Sequence, residues 1–64
     1  MPDTHFAALE LARQQAEAGE LDAAIATLEE TRKGIRDGAM QGVIDLRLAR
    51  LFMSQGKRDE AAAM

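Results

Sequence analysis

One five-residue phrase occurs twice in this chain. Leu9-Glu10-Leu11-Ala12-Arg13 returns as Leu46-Arg47-Leu48-Ala49-Arg50, an offset of 37 positions (46 − 9). At the same offset Gly19 falls on Gly56, Asp22 on Asp59, Ala24 on Ala61 and Ala26 on Ala63. Shared composition does not align a block, a glycine and the alanine after it in the same order. A repeat of roughly 20–50 residues built from a helical block and a turn glycine marks stacked helix–turn–helix units, each too small to bury its apolar face alone. The implied fold class is all-α: helical hairpins in an α-solenoid arrangement.

Composition agrees. The 64 residues suffice for one domain near the lower limit of independent stability. Ala, Leu, Glu, Gln and Arg dominate, all good helix formers. There is no Cys, so neither a disulfide framework nor a thiolate metal site is available. The formal net charge is −3, with acids and bases interspersed. Nucleic-acid binding wants clustered Lys and Arg, and none is expected here. No apolar run approaches the roughly 20 residues that span a bilayer, and no signal-peptide pattern precedes the first helix, so no direct membrane insertion by this segment is expected.

Along the chain, Pro2, Asp3 and Thr4 read as a helix start. The first helix is expected from about Thr4 to Ala18, with Phe6, Leu9, Ala12 and Ala16 near one face and Leu11 alongside. Gly19 stops it. A second helix runs from Leu21 to Lys33, striped by Leu21, Ala24, Ile25 and Leu28. Glu20 and Asp22 in its first turn and Arg32 and Lys33 in its last complement the helix dipole. So short a link makes the pair antiparallel. Residues 34–38 form the one extended loop, and Asp37 is placed to cap a third helix from Ala39 to Gln55. Gly56 is expected to turn the chain as Gly19 does, starting a truncated fourth helix near Arg58. Repeat one thus covers about 4–36 and repeat two about 39–64. The run Val43 to Met53 has an apolar arc too wide for one neighbour, interrupted only by Asp45. That carboxylate is expected beside Arg13, Arg47 or a backbone N–H, or at an exposed edge. With the fourth helix short, Leu48, Leu51 and Phe52 should stay partly uncovered, which predicts a homodimer or exchange of helices between copies.

The spacing Ala12, Gly19, Ala24 and again Ala49, Gly56, Ala61 resembles the tetratricopeptide repeat. These six residues are then the repeat-defining packing and turn positions. The chain departs from the family pattern: Ala8 and Asp45 stand where Trp is common, Gln15 stands where Tyr is common, and three additional residues occupy the central loop. It also resembles, more narrowly, the YfgM-type ancillary subunits of the bacterial SecYEG translocon. Ala8-Leu9-Glu10-Leu11-Ala12, Gly19-Glu20-Leu21-Asp22-Ala23-Ala24, Leu28-Glu29, Val43 to Arg50, Gln55-Gly56-Lys57 and Asp59-Glu60-Ala61 carry that likeness. The resemblance implies a central fragment of a periplasmic tetratricopeptide-like domain, held at the inner membrane by an anchor elsewhere. It also implies the Sec translocon and a periplasmic prolyl-isomerase-type chaperone as protein partners. A cytoplasmic tetratricopeptide adaptor that binds peptide segments is the other interaction class compatible with these residues.

Chemistry has little to work with. His5 has no nucleophile or metal-ligand partner at a useful spacing. The adjacent acids Glu29-Glu30 and Asp59-Glu60 point to different azimuths on their helices. Gly34, Gly38 and Gly42 lack the strand and Lys-Ser/Thr of a phosphate loop. Met40, Met53 and Met64 suit core filling, or an adaptable surface. No catalytic, metal or cofactor site is expected, and the chain reads as a non-enzyme. Arg13 and Arg50 occupy one repeat position, which the tetratricopeptide resemblance places on a concave face with Leu9, Glu17, Leu46, Met53 and Ser54. Apolar residues flanked by arginines suit a peptide that carries a carboxylate. The plainer alternative pairs Arg13 with Glu10 or Glu17 on its own helix.

Overall fold

The computed structural model describes residues 4–63, so Pro2, Asp3 and Met64 lie outside the described residues. Three helices succeed one another: α1 (Thr4–Glu17), α2 (Leu21–Lys33) and α3 (Gly38–Ala63). The all-α fold read from the sequence is the fold observed.

The turn between α1 and α2 is built as the glycine requires. Gly19 has φ +83°, the left-handed region that costs a residue with a Cβ about 1–2 kcal/mol. Its N–H donates to the carbonyl of Ala16 at 3.1 Å, and that of Glu20 to Gln15 at 2.9 Å. These two bonds satisfy carbonyls that the end of α1 would otherwise leave unpaired. Across the hairpin Thr27 Oγ1 donates to Gln15 Oε1 at 2.7 Å.

α2 ends at Gly34, and the chain does not swing free afterwards. Ile35 is buried, and its carbonyl accepts from Gln41 Nε2 at 2.7 Å. Asp37 then caps α3 as its position predicts: its Oδ1 accepts from the N–H of Ala39 at 2.9 Å. α2 is the middle element, packed against both neighbours, while α1 and α3 barely meet. The core runs through it: Ala12, Ile25, Leu28, Ile35, Ile44 and Leu48, with Leu9, Met40 and Leu51 against the edges. Met40 therefore fills core, whereas Met53 is exposed.

Several expectations are corrected. Gly56 makes no turn and no separate fourth helix forms among the described residues; α3 runs unbroken over 26 residues to Ala63. Ala49 and Ala61 are accordingly exposed and do not pack a second hairpin. The physical reason lies in residues 57–63, whose apolar content is three alanines. Folding them back would bury little, while breaking the helix gives up hydrogen bonds that a mid-helix Gly costs only about 1 kcal/mol to keep. Leu48 is buried at 9% exposure, not uncovered, because it faces α2; Leu51 is half-buried and Phe52 half-exposed, as expected. Asp45 lies at an exposed edge, one of the expected placements, but its partner is Arg32 on α2 and not Arg13 or Arg47: Arg32 Nε donates to its Oδ1 at 2.7 Å. Phe6 and Leu11 on α1 are also exposed.

The two glycines should therefore respond with opposite signs. Gly19→Ala is expected to lower stability by about 1–2 kcal/mol, whereas Gly56→Ala, whose Cβ meets nothing within 4 Å, should raise it by up to about 1 kcal/mol. Thermal melts followed by far-UV circular dichroism read both; a loss at Gly56 equal to that at Gly19 would mean that residue 56 turns after all.

Candidate functional site

Because α2 separates α1 from α3 on one side only, the opposite side is an open groove. Two depressions lie along it. The first, about 170 Å³, has Ala12, Ala16, Leu28 and Leu51 as an apolar floor and Arg13, Arg47, Arg50 and Ser54 around it. The second, about 190 Å³, lies between Phe6, Leu9 and Glu10 on α1 and Arg47 on α3, and shares Arg13 and Arg47 with the first. Each is smaller than the roughly 300–1,000 Å³ that encloses a small-molecule ligand. Each is of a size to take one side chain.

Three arginines gather here because of helical spacing. Arg47, Arg50 and Ser54 recur at steps of three and four and so share one side of α3, while Arg13 faces them from α1. They are not equivalent. Arg13 is held by its own helix: its Nε donates to Glu10 Oε2 at 3.1 Å, and its terminal nitrogens pair with Glu10 and Glu17. The hydrogen bond from Arg13 draws the Glu10 carboxyl below its ordinary range against the opposing effect of desolvation, with the charges of Arg13 and Arg47 and a hydrogen bond from Gln14 acting the same way as the first. The bond to Glu10 and the charges of Glu10 and Glu17 in turn hold the Arg13 guanidinium above its ordinary value. Among the described residues Arg47 and Arg50 form no ion pair. These two carry the positive charge that the groove can offer.

Of the residues expected on a concave face, the groove brings together Leu9, Arg13, Arg50 and Ser54. Glu17 stands at its rim through the pair with Arg13. Leu46 and Met53 do not line it; they are 55% and 63% exposed on another side of α3. Arg47 is the residue that the repeat comparison missed, because its counterpart one repeat earlier is Glu10. Its position beside Arg50 and Ser54 at helical spacing was the available signal.

The pairing of Glu10 with Arg13 is testable by pH. A carboxyl whose folded-state pKa is lowered contributes stability that is present above its unfolded value and fades as pH falls through the folded one. In an NMR titration Glu10 should titrate below its usual value of 4.5, and Arg13→Ala should return it there. An unchanged Glu10 titration in that variant would remove Arg13 as the cause. The pair is solvent-exposed, so Arg13→Ala should leave the melting temperature almost unchanged.

The sequence model of the tetratricopeptide repeat-like domain matches residues 2–64, almost the whole chain. Searches of curated proteins and of solved structures found no match. With helical hairpin packing, a glycine turn and an open groove between the first and third helices, the chain belongs to the tetratricopeptide repeat-like domain family, whose members are typically protein-interaction modules without enzymatic activity.

Proposed function

We propose that the chain is a protein–protein interaction scaffold whose groove between α1 and α3 binds a peptide segment carrying an apolar side chain and a nearby carboxylate. The observation that carries this reading is the pair Arg47 and Arg50, unpaired among the described residues and set beside an apolar floor. A guanidinium offers two parallel donors to a carboxylate, and the 170 Å³ depression takes the apolar neighbour. Leu9, Arg13 and Ser54 extend the same surface; Glu17 restrains Arg13 and limits its part in binding. Arg13 acts less on the ligand than Arg47 and Arg50 because its charge is already shared with two acids.

The partner reading comes from the sequence. The likeness to YfgM-type ancillary subunits, strongest over Val43 to Arg50, supports a periplasmic role at the Sec translocon and a link to a prolyl-isomerase-type chaperone. No helix among the described residues is long and apolar enough to cross a membrane, so attachment there would be through protein partners or through sequence outside this segment.

Two measurements test these statements separately. Calorimetry with peptides bearing an apolar residue next to Asp or Glu should show binding that weakens about tenfold in Arg47→Ala and in Arg50→Ala, the loss of one charge-assisted hydrogen bond each. Arg13→Ala should weaken it less. Equal binding by all variants would end the groove assignment. Retention of detergent-solubilised SecYEG and of periplasmic chaperone on the immobilised chain tests the partners; no retention by wild type would remove the translocon reading and leave the peptide reading standing.

A further inference from the structure

The groove is not uniform along its length. The depression floored by Leu28 and Leu51 is lined by three cations, Arg13, Arg47 and Arg50, and by no acid among the described residues. The depression beside Phe6 and Leu9 keeps two of those cations, Arg13 and Arg47, and adds the carboxylate of Glu10. Glu10 offsets both: it pairs with Arg13, and the charge of Arg47 reaches it. Arg50, about one turn further along α3, lines only the first depression, together with Ser54. The groove therefore has a cationic end at Arg50 and an apolar end at Phe6 and Leu9, where the cations already face an acid. Arg13 and Arg47 stand at both depressions and form the ridge between them. Along α1 the lining passes from Phe6 and Leu9 to Ala12 and Ala16, and along α3 from Arg47 to Arg50, Leu51 and Ser54. At 1.5 Å per residue the two seats lie about 7–10 Å apart.

We infer, resting on the peptide reading above, that the ligand is an extended segment with two apolar side chains at alternate positions, one in each depression. Its acidic residue follows the side chain seated over Leu28 and Leu51, on the side away from the other. An extended chain puts residues i and i+2 on one side about 7 Å apart, which fits the two seats. It also leaves its backbone carbonyls free to accept from the guanidinium N–H groups of the ridge between them. A helical ligand would use those carbonyls within itself. The carboxylate belongs at Arg50, where a guanidinium without an ion pair offers charge-assisted hydrogen bonds and the Ser54 hydroxyl a further donor. At the other end a carboxylate would meet that of Glu10, a like charge that repels it. One end of the groove thus selects for an acid and the other against it, which fixes the order in which the segment lies.

Calorimetry on the full chain with short peptides, capped at both ends so that only side chains carry charge, tests this. Leu-Gln-Leu-Asp and Asp-Leu-Gln-Leu cover the two chain directions. In the tighter of them, replacing the leucine remote from the acid by Ala should weaken binding about fivefold. Phe6→Ala should weaken the two-leucine peptide by about as much and leave the one-leucine peptide unchanged. Phe6 is 68% exposed, so this variant should keep the wild-type melting curve. A second Asp beside the remote leucine should add no affinity in wild type, and Glu10→Gln should bind that doubly acidic peptide more tightly. If the one-leucine peptide binds and loses affinity in Arg50→Ala, but the second leucine adds nothing or adds affinity that Phe6→Ala does not remove, the seat at Phe6 is wrong and the groove reading stands. Tighter binding of the doubly acidic peptide by wild type overturns the charge order. Tighter binding of a helix-forming peptide with leucines at i and i+4 overturns the extended ligand. Equal binding of every peptide by wild type and Arg50→Ala removes the groove reading and this inference with it.

Discussion

The burial of one stripe on α2 supports the rest of this structure. Leu28 is 1% exposed and Ile44, across from it on α3, is fully buried. Ile25, Ile35 and Leu48 extend the same cluster, so the middle helix binds its neighbours on two sides through a handful of aliphatic side chains. In a chain of this size such burial only narrowly exceeds the entropy of ordering the backbone. The polar links add position more than stability. Arg32 to Asp45 and Gln55 to Asp22 both join α2 to α3 at exposed edges, where ion pairs and hydrogen bonds contribute little net free energy. They flank the α2–α3 contact, whose buried side chains set the rotation of α3 and so what α3 presents to the groove.

The groove is a consequence of this arrangement. With α2 as the common neighbour, α1 and α3 are held near each other without filling the space between. Small side chains at Ala12 and Ala16 keep the floor low, with buried Leu28 beneath it and half-buried Leu51 beside it. The arginines above it divide into Arg13, paired with two acids of its own helix, and Arg47 and Arg50, which form no ion pair among the described residues.

Repetition in sequence did not produce repetition in structure. Gly19 and Gly56 sit at equivalent positions, yet one adopts a left-handed turn and the other lies within a helix. The difference lies in the residues C-terminal to each. Beyond Gly19 come Leu21, Ala24, Ile25 and Leu28, which offset the cost of a reversal by burying a full stripe. Beyond Gly56 come charges and alanines, and the helix simply continues. Leu46, Ala49 and Met53 stay exposed because no second hairpin forms to pack on them.

The sequence alone determined the helical class, the first hairpin and its glycine turn, the approximate limits of α2, and the cap at Asp37. Each is set by local chemistry: periodicity, backbone conformation, or an orphan N–H within reach of a side chain. It also gave Arg13 and Arg50 the same repeat position. Only the tertiary structure decided that α3 runs through Gly56, that Asp45 pairs with Arg32, that Arg47 joins the groove, and that Leu46 and Met53 leave it. These depend on which side of α3 meets α2, a choice made by the packing of Ile44, Leu48 and Ile35. No local propensity encodes a rotation about a helix axis; the geometry of burial does.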